Sequence, residues 1–236
     1  EITCDQKISI KINHFLRPIR NFIRSASISF FMFIASKKVS KEDVKFDEII
    51  LISTHILKTY QLDDLDSGYI DRNFPDVMSF LNPNESKKLF FIPQFPGGPR
   101  PYNKIFKKIR ESEQNFILKA DYLKLVDYLY AFLYPLRISS IELKKIYFLD
   151  YEISSIIRSE LWNFIFDYKT IESLLNIRVQ KRLSEAGLKI RTFLDWYENQ
   201  LSSRGLIYGF RKYFPESKIL GYQGIIDSAS YRINLH

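Results

Sequence analysis

Short apolar runs punctuate the chain near residues 48–53, 88–95, 115–118, 190–196 and 218–222. The first, inside "KFDEIILIST", is β-branched and flanked by polar residues, the pattern of a buried parallel strand. "KLFFIPQF" predicts a second strand, "NFIL" a short third, and "LKIRTFLDW" and "KILGY" the last two. Between them the apolar spacing predicts helices near 74–81, over "YNKIFKKIRES" (102–112) and over "SSRGLIYGFRKYF" (202–214), the last stopped by Pro215. From Lys119 to Leu188 apolar residues recur near every 3.6 positions. That period predicts helices over 120–136, 139–168 and 169–187, with Asp121 capping the first, Ser139 or Ser140 the second, and Gly187 at the end of the third.

Strands alternating with helices imply an α/β fold, a Rossmann-like parallel sheet with helices on both faces. Such a domain would cover residues 45–236, with 119–188 as a large helical insertion. Residues 1–44 read differently. Lys7, Lys11, Arg17, Arg20, Arg24, Lys37, Lys38 and Lys41 follow one another with no acid among them. Phe15, Ile19, Phe22 and Ile23 fall on one face of a helix, with the arginines largely elsewhere. The apolar run "SISFFMFIA" is about half the ~20 residues that a membrane span needs. The leader is thus a basic amphipathic helix, either resting on an anionic membrane face or packing as a connector to whatever precedes it.

Composition narrows the classes. Apolar residues make up 46% of the 236, including 20 Phe and 15 Tyr, so a substantial core is expected and disorder is not. Lys and Arg number 35 against 27 acids, a net charge of +8 that suits phosphates, nucleotides, nucleic acid or acidic lipid. Cys4 is the single cysteine, which rules out an intramolecular disulfide and favours a reducing compartment. The chain begins at Glu1 and stops at His236 just after a strand-like run, which is expected of a fragment.

In an open α/β sheet, ligands bind beyond the carboxyl ends of the strands. That rule gathers Thr54 and His55, then Gln94, Phe95, Gly97, Gly98 and Arg100, then Tyr197, Glu198, Asn199 and Gln200, then Gln223 and Gly224 on one rim. A carboxylate such as Glu198 there can deprotonate a sugar hydroxyl or hold a diol, or it can cap the next helix or pair with Arg204. Asn199 and Gln200 both donate and accept, as sugar hydroxyls require. The start of the helix after them offers backbone N–H groups and Arg204 to an anion. Gly221 and Gly224 bracket Tyr222 and Gln223, where a backbone can approach closely. "DDLD" (63–66) contains an Asp-x-Asp, a common triplet in its own right. The three His and one Cys make no zinc pattern, and no metal is expected. Neither a phosphate loop with its Lys nor a Gly-x-Ser-x-Gly elbow is present, and no nucleic-acid module is recognisable.

The segments "FLDWYENQLSSRGLIYGFRKYFPESKILGYQG", "FIPQFPGGPRPYNKIFKKIRESEQNFILKADYLKL" and "DYLYAF" resemble a family of bacterial surface-carbohydrate biosynthesis proteins, glycosyltransferases with two Rossmann domains (the GT-B arrangement) from capsule and O-antigen gene clusters. The resemblance covers roughly residues 45–236. Its most specific part carries over Trp196, Glu198, Asn199, Gln200, Gly209, Phe210, Arg211, Gly221, Tyr222, Gln223 and Gly224. It implies an N-terminal, acceptor-side domain, with the nucleotide-sugar held by a second domain beyond 236. The segment after "EIILIST" departs from the pattern, being poorer in glycine than a first-strand loop of such enzymes. The expectation is transfer of a sugar from a nucleotide-sugar co-substrate, with no other cofactor, to a glycan or lipid-linked acceptor. Glu198 would be catalytic; Tyr197, Asn199, Gln200, Arg204, Arg211, Tyr222, Gln223 and Gly224 would bind substrate. The location would be cytoplasmic, peripheral on the inner membrane face through residues 7–41. The alternative is a non-enzymatic basic module that binds a membrane surface or nucleic acid.

Overall fold

The computed structural model describes residues 4–37, 48–56, 74–95, 100–163, 166–197 and 201–222. The chain runs through α1 (Cys4–Lys37), β1 (Ile49–His55), a 3-10 turn (Val77–Phe80), α2 (Pro83–Lys87), β2 (Leu89–Gln94) and α3 (Tyr102–Glu111). There follow α4 (Lys119–Tyr122), α5 (Leu125–Phe132), α6 (Tyr134–Ser139), a hairpin of β3 (Tyr147–Phe148) and β4 (Tyr151–Glu152), α7 (Ser154–Asn163) and α8 (Tyr168–Glu185). The last described elements are β5 (Ile190–Trp196), α9 (Leu201–Tyr213) and β6 (Lys218–Tyr222).

β1, β2, β5 and β6 form one parallel sheet in the order β2-β1-β5-β6. Side chains alternate across it, as strand geometry requires. Leu51, Phe90, Ile92 and Phe193 face a layer containing Tyr128 of α5, Val179 of α8 and Phe210 of α9. Ile52, Leu89, Phe91 and Leu194 face Ile105 and Phe106 of α3 and Met32 and Ala35 of α1. Helices therefore cover both faces, as expected of an α/β sheet. The predicted strand at 115–118 is reduced to one parallel bridge between Phe91 and Phe116, because α4 begins directly after it.

The region 119–188 departs from its predicted three helices. The first is broken into α4, α5 and α6, with Pro135 opening the last. Asp121 lies inside α4, whose N-cap position is Leu118, and its carboxylate is paired with Arg110 of α3. In the second, residues 147–152 form a hairpin, whose turn holds Leu149 at φ 47° and Asp150 at φ 66°. Two positive φ values give a turn whose twist matches paired strands, which a helix cannot accommodate. Tyr147, Phe148, Leu149 and Tyr151 are exposed, so the apolar residues assigned to a buried helical face have no core to meet. Ser140 ends α6 instead of opening a helix. Near 74–81 only the 3-10 turn forms. Gly187 does follow the end of α8, at φ 78°.

The basic leader is one long helix. Phe22, Ala26 and Phe33 pack on the α5–α8–α9 side of the core, and Ile28, Met32 and Ala35 on the α3 side. Ser36 donates to the carbonyl of Ala120 at 3.1 Å, fastening its end to α4. Of the predicted apolar face, Ile19 and Phe22 are half-buried, whereas Ile23 is exposed together with Leu16, Phe30, Phe31 and Ile34. Among the described residues no helix is long and apolar enough to cross a membrane.

α8 and α9 pack together through two glycines one helical turn apart. A Cβ on Gly205 would lie 2.5 Å from the backbone carbonyl oxygen of Ser173, and one on Gly209 would lie 2.7 Å from Cγ of Gln180. At Gly205 the closest clash is with the backbone of α8, which cannot move aside; at Gly209 it is with the Gln180 side chain, and the nearest backbone atom, Ile177 Cα, is further off at 3.2 Å. Gly205→Ala should therefore lower stability by about 2–3 kcal/mol, as overpacking of a tight contact does. Gly209→Ala should cost less. Equilibrium urea unfolding of the two variants checks the order, and equal losses would contradict it.

Candidate functional site

β1 has β2 on one side and β5 on the other, so the direction in which successive strands are added to this parallel sheet reverses between β1 and β5. Open α/β sheets bind ligands at such a switch point, outside the carboxyl ends of the strands. Here three polar side chains continue the buried apolar face: Ser53 after Leu51, Gln94 after Ile92, and Asp195 after Phe193. All three are buried. Gln94 Nε2 donates to Ser53 Oγ at 3.4 Å. The hydroxyls of Ser53 and of Ser203, in the first turn of α9, hydrogen-bond the Asp195 carboxyl. Its Oδ2 has no hydrogen-bond partner among the described residues.

Lys119, opening α4, reaches into the same layer. Its ammonium donates to Gln94 Oε1 and, at 2.7 Å, to Asn176 Oδ1 of α8. Asn176 Nδ2 in turn donates to the carbonyl of Ser202 at 3.1 Å. Side chains from β1, β2, α4, α8, β5 and α9 thus meet in one network, which closes the carboxyl end of the core.

Burial disfavours charge here. It pushes the Asp195 carboxyl up to about 6, against the opposing pull of the Ser53 and Ser203 hydroxyls and of Lys119. It pushes the Lys119 ammonium down to about 8, less the support of the Glu172 and Asp195 carboxylates. An acid and a base whose proton affinities burial shifts toward neutrality, in one network at a switch point, make this a candidate functional site. Only 1% of Asp195 is exposed, so it acts through its neighbours and not on a ligand directly.

The sequence-predicted residues divide. Glu198, Asn199, Gln200, Gln223 and Gly224 lie outside the described residues, as do Gly97, Gly98 and "DDLD". Both flanks of 198–200 are nevertheless fixed: Asp195 on one side bonds Ser203 on the other, and the Tyr197 N–H donates to the Tyr222 carbonyl at 2.9 Å. Tyr197 is half-buried, and a Cβ on Gly221 would come within 3.3 Å of its own Cβ. Tyr222 is exposed at the strand end, with Trp196 at 5.2 Å and Phe74 at 5.7 Å between ring centres. Arg204 is exposed in the first turn of α9. Arg211 is not brought to this rim: it stands in the last turn of the same helix, about 10 Å beyond Arg204 along the axis at 1.5 Å per residue. Buried Thr54, half-buried His55 and Gln94 sit at the ends of β1 and β2. The Arg100 guanidinium donates to the Ile56 carbonyl at 2.9 Å.

Ser53, Lys119, Asn176 and Ser203 were not among the residues singled out from the sequence, and neither was Asp195 in a role of its own. For Asp195 a signal existed: an acid inside the apolar run "TFLDW". For the others none did, since each comes from a different element. No group of three or more His, Cys, Asp or Glu among the described residues could hold a metal ion. Compared with known proteins, the chain matches no family model, no curated protein and no solved structure.

Proposed function

We propose that this chain is the acceptor-side Rossmann-like domain of a glycosyltransferase of the GT-B arrangement, acting in bacterial surface-polysaccharide synthesis. The observation that carries the proposal is the set of hydrogen-bonding side chains at the carboxyl ends of β1, β2 and β5. Electrostatic capture of a polyanion needs clustered cations at a surface. Recognition of a polyhydroxyl acceptor needs groups that both donate and accept, and the buried Ser53, Gln94, Asn176 and Ser203 brace the strand ends and helix start from which such groups would reach it. In this reading Glu198 accepts the acceptor hydroxyl's proton, Asn199, Gln200 and Gln223 hold sugar hydroxyls, and Arg204 faces the anionic leaving group. The nucleotide-sugar is held by a second domain beyond His236. Asp195 positions residues 197–203 through Ser203.

A second reading rests on the outer side of α1, where Leu16, Ile23, Phe30, Phe31 and Ile34 are exposed beside exposed Arg20 and Arg24. That surface suits an anionic lipid face, either as the whole function or as the way a transferase reaches a lipid-linked acceptor. One experiment separates them. The full-length parent protein is incubated with a panel of nucleotide-sugars, and nucleotide release is followed with and without vesicles containing anionic lipid. Release above background supports the transferase. No release from any donor, with vesicle binding that falls steeply as salt rises, overturns it in favour of the binding module.

A further inference from the structure

A cavity of about 410 Å³ opens between α1, α4, α8 and the end of β2. Its floor carries half-buried Lys119 and, beneath it, buried Asn176, both members of the network described above. One wall is the leader helix, which presents Asn21, Arg24, Ser25 and Ser29 at near-helical spacing. Glu172 of α8 stands opposite. The remaining walls are apolar, with Phe95 and Phe106 among them. The size falls within the range of small-molecule sites, and mostly apolar walls with a few convergent polar groups are their usual make-up.

The lining selects a ligand class. A phosphate or other anion would gain from Lys119 and Arg24 but would be repelled by Glu172. A cation would meet the reverse. A neutral ligand rich in hydroxyls is served by both signs at once: Lys119 and Arg24 donate, Glu172 accepts, and Asn21, Ser25 and Ser29 do either. The apolar walls take the C–H faces of a sugar ring. Lys119 has three N–H groups, and two acceptors hold it among the described residues, so one donor is left for a ligand. We infer that this cavity is a saccharide site, taking one or two sugar units of the acceptor, and that α1 is a wall of that site. The inference rests on the transferase reading for the word "acceptor" but not for the sugar itself.

The lowered proton affinity of Lys119 adds a consequence. As pH rises through about 8, the ammonium loses its charge and one of its donors, so saccharide binding weakens on the alkaline side. The Glu172 and Asp195 carboxylates act on Lys119 electrostatically, and Arg24 lines the same cavity.

The test uses the full chain and a panel of methyl glycosides of glucose, galactose, mannose, rhamnose, N-acetylglucosamine and N-acetylgalactosamine. Binding is read by saturation-transfer NMR, with inorganic phosphate as the anionic control. At least one glycoside should bind the wild type, and phosphate should not displace it. Ser29→Trp fills the cavity from α1, where the side chain is half-buried, and should abolish that binding while circular dichroism is unchanged. Lys119→Met should weaken it at least tenfold and remove its alkaline decline. Binding by no glycoside, binding that survives Ser29→Trp, or displacement by phosphate would each overturn the site. If the site fails while the parent protein still releases nucleotide, only the location of the acceptor is wrong. If the site stands and no donor is turned over, the transferase reading fails and the saccharide site remains.

Discussion

Glu198→Gln in the full-length parent protein should lower turnover by ~10²–10⁴-fold, the usual contribution of a positioned general base. Its melting temperature should move by no more than about 2 °C, because Gln keeps the shape and one hydrogen-bonding oxygen of the side chain. The pairing of those two readouts decides between roles. A Glu three residues ahead of α9 can also serve the helix electrostatically, as an acid near the positive end of its dipole. In that role the substitution would lose a fraction of a kcal/mol in stability and leave the rate alone. The prediction draws its strength from the flanks. Asp195 is bonded to Ser203 and Ser202 to Asn176, so a buried network fixes both ends of the segment that holds Glu198. Near-normal turnover would remove Glu198 from the mechanism and turn attention to the buried network of Lys119 and Asp195.

Much of the sheet was legible in the sequence because its strands are short apolar runs between polar flanks, whether buried like β2 or largely exposed like β6. "IRTFLDW" and "KILGY" are strands over the predicted residues, and "LFFIPQ" is a strand buried at every position. The hairpin at 147–152 was not legible. Its apolar side chains are exposed, and a period of apolar residues identifies a helix only when those residues face a core. Periodicity also could not separate one long helix over 120–136 from three short ones, whose breaks depend on how α4 meets α1 and α3. The rim was legible as a place, since strand ends follow from strands. The network at that rim was not. Ser53, Gln94, Lys119, Asn176, Asp195 and Ser203 are spread over 150 positions and share no motif. Only the sheet order, which puts β1 between β2 and β5, brings them together. The leader's charge pointed outward to a partner, whereas its packing side, and the Asn21–Ser25–Ser29 row facing the cavity, depended on which helices it crosses.

The largest loss of stability is expected from Asp127→Ala, on the other side of the insertion. Asp127 of α5 is wholly buried between two arginines of α8. Its Oδ1 accepts from Arg178 Nε at 2.7 Å and from Arg182 Nη2 at 2.9 Å; its Oδ2 accepts from Arg182 Nε at 2.7 Å and from the Lys124 backbone N–H at 2.9 Å. Four donors therefore converge on one carboxylate, and the two guanidiniums are themselves only 18% and 11% exposed. Removing the acid leaves two poorly hydrated cations side by side, and breaking a buried pair in this way costs about 3–5 kcal/mol. The same geometry fixes the pH dependence. Burial alone would raise the Asp127 pKa, but the hydrogen bonds from Arg182, Lys124 and Arg178 together outweigh it and hold the carboxyl below its usual 3.8. A depressed carboxylate contributes stability that is present above its unfolded pKa and is lost as pH falls through the folded one. Wild type should therefore lose stability below about pH 4 through this group, whereas Asp127→Ala, already without it, should show a flatter acid limb. Urea midpoints measured between pH 3 and pH 7 for both proteins give the comparison. A loss under about 1 kcal/mol at pH 7 would mean that Arg178 and Arg182 swing into solvent at little cost, and the pair would then count as a surface interaction.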